Sequence, residues 1–134
     1  MIRIGIVGSR KWTNKKKVEE SIDLCINKYG KENICIVSGG AIGADYLGKI
    51  VALEKVLKYE EYNPAHEDWN EYSVKPKEWF NKPYHVGNYF ERNTFIAEDS
   101  DILFAFIPKG HQSNGTQDTI NKTKKLGKTC FIIN

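Results

Sequence analysis

Short, wholly apolar runs alternate along this chain with longer stretches in which apolar residues recur every three or four positions. Ile2 to Val7 is a β-rich run ending at Gly8-Ser9-Arg10. Beyond it, Thr13 or Asn14 can cap a helix whose apolar stripe is Val18, Ile22, Ile26 and Tyr29, and Gly30 is placed to stop that helix. Ile34 to Val37 predicts a second strand, followed by a helix from about Gly43 to Leu57 with Ala44, Leu47 and Val51 on one face. A third strand fits Lys58 to Tyr62, closed by Asn63-Pro64. Phe90 to Glu98 reads as a short helix, and Ile102 to Ile107 as an apolar strand of the kind buried on both faces. Pro108 to Asn114 is a polar loop, Gly115 to Leu126 a weakly amphipathic helix, and Thr129 to Ile133 a last strand.

This alternation predicts the α/β class: one Rossmann-like three-layer domain over residues 1–134, with a central, mostly parallel sheet of about five strands and right-handed crossovers. Residues 63–88 resist assignment. They form an aromatic-rich insertion carrying Trp69, Tyr72, Trp79, Phe80 and Tyr84, and a loop of that length in a compact domain is expected to serve a function. Ligands of open parallel sheets bind beyond the carboxyl ends of the strands. Three unusual loops start at such ends: Gly8 to Trp12, Ser38 to Asp45, and Pro108 to Thr116.

The second of these loops, Ser38-Gly39-Gly40-Ala41-Ile42-Gly43-Ala44-Asp45, is the most informative. A strand, a glycine-rich turn and a helix start form an anion cradle, because glycine lets the backbone approach a ligand and the first helical N–H groups lack intrahelical partners. The spacing matches neither the dinucleotide fingerprint nor Walker A. Gly39, Gly40 and Gly43 would supply the backbone of the cradle. Arg10 can offer a planar fork to a phosphate or carboxylate. Trp12 could stack on a base, although covering the sheet edge is the favoured role. Asp45 suits a first helical turn and could equally pair with Arg10 or touch a ligand.

Composition changes this picture little. The net charge is +3, from 20 basic and 17 acidic residues, and is too mild to imply nucleic acid. Cys25, Cys35 and Cys130 make no Cys-x-x-Cys pair and read as buried thiols, while the three histidines lack metal-ligand spacing; no metal and no cofactor are expected. The longest apolar run is far too short to span a bilayer and nothing reads as a secretory signal, so a cytoplasmic location without membrane partners is expected.

Four signals occur in order: Gly8-Ser9-Arg10-Lys11-Trp12, the turn from Ser38 to Asp45, Gly87 followed by Arg92-Asn93, and Asn114-Gly115-Thr116-Gln117-Asp118. Together they resemble the SLOG superfamily, which includes the LOG proteins and the DNA-processing protein DprA, and most of all its small YspA-type branch. The resemblance covers nearly the whole chain except residues 63–88. It implies a ligand site built from Gly8, Ser9, Arg10, Trp12, Ser38, Gly39, Gly40, Ala41, Gly43, Asp45, Arg92, Asn93, Gly115 and Thr116. LOG-type members hydrolyse the N-glycosidic bond of nucleoside monophosphates with a glutamate whose position here is Thr119. Catalytic residues therefore stay open, with Arg92, Asp118 and Asp45 as candidates. The leading expectation is binding, as a sensor or scavenger, of a nucleotide or nucleotide-derived signal such as an ADP-ribose-like molecule, by a homodimer or higher oligomer. A nucleotide N-glycosidase or deoxyribosyl-transfer enzyme is the alternative. Single-stranded DNA binding, by analogy with DprA, is a further one; stacking aromatics would suit it, but the weak charge balance puts nucleic acid outside the expected partners.

Overall fold

The computed structural model describes residues 1–134. Five strands, β1 (Ile2–Gly8), β2 (Ile34–Ser38), β3 (Lys58–Glu61), β4 (Ile102–Phe106) and β5 (Thr129–Ile133), form one sheet in the order β3-β2-β1-β4-β5. Every pairing is parallel. The helices are α1 (Lys15–Tyr29), α2 (Ala44–Glu54), α3 (Gly87–Asp99) and α4 (Asn114–Lys125).

Why the central strands are apolar throughout follows from the period of two along a strand. Ile4 and Ile6 of β1, Ile34 and Ile36 of β2, and Phe104 and Phe106 of β4 join Val18, Ile22, Ala44 and Val51 of α1 and α2 in one core. The intervening Val7, Cys35, Val37, Leu103 and Ala105 face the other way and pack with Ile96 of α3 and Ile120 of α4. The expected three-layer α/β domain is therefore present, with a sheet that is wholly parallel. Cys25 and Cys35 are buried free thiols and Cys130 is half-buried. No helix is long and apolar enough to cross a membrane.

Two boundaries differ from the sequence reading by three residues, the others by about one. Helix α2 stops at Glu54, short of Leu57, because Val56 takes a left-handed backbone with φ 57° and turns the chain into β3. Helix α3 begins three residues before Phe90, at Gly87, which brings Tyr89 onto the same helix face as Arg92 and Asn93. That earlier start shapes the site.

The insertion is tied down at its root by one side chain. Glu61, at the end of β3, is 2 % exposed and accepts hydrogen bonds from Tyr59 Oη (2.7 Å), Asn63 Nδ2 (2.6 Å) and Asn70 Nδ2 (2.6 Å). Its backbone adds two more links, accepting from Val74 N–H and donating to the Tyr72 carbonyl. The segment thus continues the sheet for one step as a bridge between Glu61 and Ser73. A side chain at Gly40, whose φ is +72°, would run into the Glu61 carboxylate, so the glycine turn and the insertion are packed against each other.

Candidate functional site

Strand order reverses at β1, which has β2 on one side and β4 on the other. Chains leaving the carboxyl ends of neighbouring strands in opposite directions leave a crevice between them. A cavity of about 400 Å³ lies there, lined by Gly8 to Lys11 at the end of β1, Ala41 and Asp45 of the glycine turn, Tyr89, Arg92 and Asn93 of α3, and His111 to Ser113, Gly115 and Thr116 before and within α4. Asp45 is the one carboxylate in the lining; Arg10, Lys11 and Arg92 are its fixed cations. Fixed cations outnumber carboxylates in this lining.

Its floor is a buried pair of opposite charges held by backbone. Asp45 is 5 % exposed, and its two oxygens accept the N–H groups of Gly8 (3.2 Å) and Gly39 (3.0 Å). Burial outweighs those donors and the charge of Arg92, and pushes the Asp45 carboxyl up to about 6. Arg92 is 7 % exposed; its Nε donates to Asn93 Oδ1 (3.0 Å) and its Nη1 to the Gly39 carbonyl (2.8 Å). Its Nη2 makes no hydrogen bond within the protein and is not buried, leaving that donor to the cavity.

Facing Arg92 is the start of α4. Ser113 caps it, accepting from Thr116 N–H at 3.4 Å and sharing a hydrogen bond with Thr116 Oγ1 at 2.7 Å. The N–H groups of Asn114 and Gly115 stay unpaired, as first-turn donors do. Across the cavity the Arg10 N–H is also unpaired, because Ser9 Oγ and Ser9 O take up the N–H groups of Lys11 and Trp12 instead. Asn93 fixes α3 against α4 by donating to the Gly115 carbonyl (3.2 Å) and to Asp118 Oδ2 (3.3 Å).

Of the residues singled out in the sequence, Gly8, Ser9, Arg10, Ala41, Asp45, Arg92, Asn93, Gly115 and Thr116 line this cavity. Ser38, Gly39, Gly40, Gly43 and Trp12 do not line it. Ser38 is fully buried between Tyr59 Oη and the Asp45 carbonyl. Gly43, with φ +93°, lets α2 begin in contact with the Ser9 and Arg10 backbone, where a Cβ would clash. Trp12 is 6 % exposed, packs on Phe106 at 5.4 Å and donates through Nε1 to the Asn14 carbonyl. Asp118 is outside the lining and occupied by Lys122 at 2.8 Å. His111 and Ser113, from the loop after β4 that the sequence marked as unusual, also line the cavity, as does Tyr89, which had not stood out. For Tyr89 the helical spacing to Arg92 was the available signal.

The raised Asp45 carboxyl has a consequence for stability. A carboxyl whose folded pKa lies above its unfolded value favours folding most below about pH 4, and that contribution is lost as pH rises through about 6. The loss should reach roughly 2–3 kcal/mol. Melting temperatures of the wild type and Asp45→Asn, followed from pH 4 to 7.5, should diverge over this window. Parallel curves would show that Asp45 does not titrate there.

Comparison with known proteins adds three findings. The family described as DNA recombination-mediator protein A matches residues 1–59. No curated protein matches the chain. Solved structures share the fold: DNA processing protein A from Helicobacter pylori, described by its single-stranded DNA binding mode (21 % identity, TM-score 0.69), and DNA processing protein A (DprA) from Streptococcus pneumoniae (18 %, TM-score 0.73). Another is TM1055, a structural genomics target (21 %, TM-score 0.64). These alignments cover 98, 100 and 97 % of this chain, which spans 64 and 50 % of the two DprA chains and 72 % of TM1055.

These matches overturn one expectation, that nucleic acid stands outside the partners. The fold neighbours include DNA processing proteins, one of them a single-stranded DNA binder, and the amino-terminal match is to a DNA recombination mediator. The expectation rested on a net charge of +3, which sums the whole surface and is blind to a cavity whose fixed cations outnumber its single carboxylate. The family match is thus confined to residues 1–59, and across the whole chain it is the fold that is shared with the two DprA structures and TM1055.

Proposed function

We propose that the chain binds a nucleotide unit through its phosphate, held between Arg92 Nη2 and the unpaired N–H groups of Arg10, Asn114 and Gly115. The observation that carries this reading is the free edge of a guanidinium that is otherwise nine-tenths buried, aimed into a cavity across from a helix N-terminus. Charge-assisted bonds to such a fork, with the helix dipole, suit a phosphate. Binding without turnover is the favoured mode. Glycosidic hydrolysis needs a carboxylate at the sugar, whereas Asp45 has both oxygens engaged by backbone and Asp118 is engaged by Asn93 and Lys122.

A second reading has its own support: the nucleotide unit belongs to single-stranded DNA. The kinship with DprA domains favours it. The deciding experiment is a thermal-shift titration with nucleoside monophosphates, ADP-ribose and a short oligothymidylate, followed by mass analysis of each ligand. Ligand at a hundred times its Kd should add about 2.7 kcal/mol of stability. A shift with the mononucleotide intact supports the small-ligand form, and one restricted to the oligonucleotide supports the DNA form. Release of free base would replace binding by hydrolysis, and no shift with any of them would refute the proposal.

A further inference from the structure

The 400 Å³ cavity is much larger than a phosphate needs, and one wall is aromatic. Tyr89, Arg92 and Asn93 stand at i, i+3 and i+4 on α3, so the phosphate-facing guanidinium and the Tyr89 ring share a helix face. Arg92 Cζ lies 5.8 Å from the Tyr89 centroid. Arg10, from the opposite loop, brings its Cζ to 5.9 Å from the same centroid. Its guanidinium is exposed and takes part in no hydrogen bond or ion pair, so it is free to move.

The insertion braces Tyr89. His66 meets it edge-to-face at 4.9 Å and Tyr84 at 6.2 Å, and the His66 and Tyr84 rings are 4.8 Å apart. Asn88, beside Tyr89, closes the cluster by bonding to His66 Nδ1 (3.1 Å) and to the Pro83 carbonyl (3.3 Å). A surface tyrosine with only solvent to face needs no such support.

We propose that Arg10 and Tyr89 form a clamp for a nucleobase, with His66 and Tyr84 of the insertion as the positioning residues that hold Tyr89 in place. This rests on the phosphate reading above and reassigns Arg10 from phosphate fork to stacking plane. Two planes sandwiching a third need about 7 Å, twice the optimal carbon–carbon separation. From 5.9 Å the exposed Arg10 side chain has only about an ångström to give. Guanidinium and aromatic planes are the groups on which unstacked bases rest in nucleic-acid sites. They accept any base, so the clamp recognises a base as such and adds little choice among bases.

The test compares ligands with and without a base by calorimetric titration: adenosine 5′-monophosphate against ribose 5-phosphate, and an eight-residue oligothymidylate against its abasic counterpart. In at least one pair the base should tighten binding roughly tenfold or more. Tyr89→Ala should bring that ratio close to one, Tyr89→Phe should keep it, and His66→Ala should lower it. Arg10→Lys separates stacking from charge: it keeps the cation and the backbone N–H but removes the planar guanidinium, so the ratio should fall. If Tyr89→Ala does not fold, the exposed Arg10→Lys decides. Equal binding with and without a base, or a ratio unmoved by Arg10→Lys, overturns the clamp while leaving the phosphate site standing. Failure of all four ligands to bind overturns both.

Discussion

Arg92→Met should weaken binding of any phosphate ligand about a hundredfold, because a charge-assisted hydrogen bond is worth roughly 1.5–3 kcal/mol and this variant removes it with its charge. The same substitution should lower stability. It strips the Gly39 carbonyl of its donor and takes a compensating cation away from Asp45, whose carboxyl already sits near 6. Asp45 should then become protonated at still higher pH, so the variant's deficit in melting temperature should shrink on acidification. Arg92→Lys should keep part of the charge effect but lose the fork that reaches Gly39 and the cavity together. Titration calorimetry with a binding nucleotide, run beside melting curves at pH 5.5 and 7.5, measures both effects. A folded Arg92→Met protein with wild-type affinity would show that the cavity's anion site does not depend on this guanidinium.

Much of this arrangement was legible in the sequence. The three-layer parallel fold follows from apolar strands alternating with amphipathic helices, and β1, β2 and β4 bury both faces as their composition requires. What the pattern could not give was the division of labour in the glycine turn. Ser38, Gly39, Gly40 and Gly43 read as a ligand cradle because cradles and close internal packing demand the same residue. In the structure these glycines make room for Arg92, Glu61 and the Ser9–Arg10 backbone, and the turn's anion is the protein's own Asp45. Only long-range neighbours distinguish the two uses, and those neighbours come from α3, β3 and β1. Residues 63–88 stayed opaque for a related reason: most of their order comes from polar bonds to Glu61 and from aromatic edges, neither of which leaves a period in the sequence.

That dependence makes Glu61→Ala the substitution with the largest expected cost to stability. Burial alone would raise the Glu61 carboxyl, but hydrogen bonds from Asn70, Tyr59 and Asn63 and the charge of Lys49, 3.4 Å away, hold it below the usual glutamate value. Removing it takes the acceptor from Asn63, which is buried, and from Asn70, strands the Lys49 ammonium, and leaves the Tyr59 hydroxyl with Ser38 alone. Each buried unpaired group costs about 1–3 kcal/mol, so a loss of roughly 3–5 kcal/mol is expected. Glu61→Gln should cost less but point an amide N–H₂ at groups that are themselves donors. The two buried carboxylates should also slope oppositely with pH. Glu61, with a lowered folded pKa, stabilises above its unfolded value and ceases to do so as pH falls through the folded one; Asp45 does the reverse. Chemical denaturation gives the overall loss, and hydrogen exchange locates it. Faster exchange at Val74 and across residues 63–74, with β1 and β4 changed only through global stability, is the expected signature. A uniform change throughout the chain would mean that Glu61 supports the sheet as a whole and that the insertion is held by something else. If exchange is local, the same variant should blunt base recognition at Tyr89, since His66 and Tyr84 hang from the segment that Glu61 anchors.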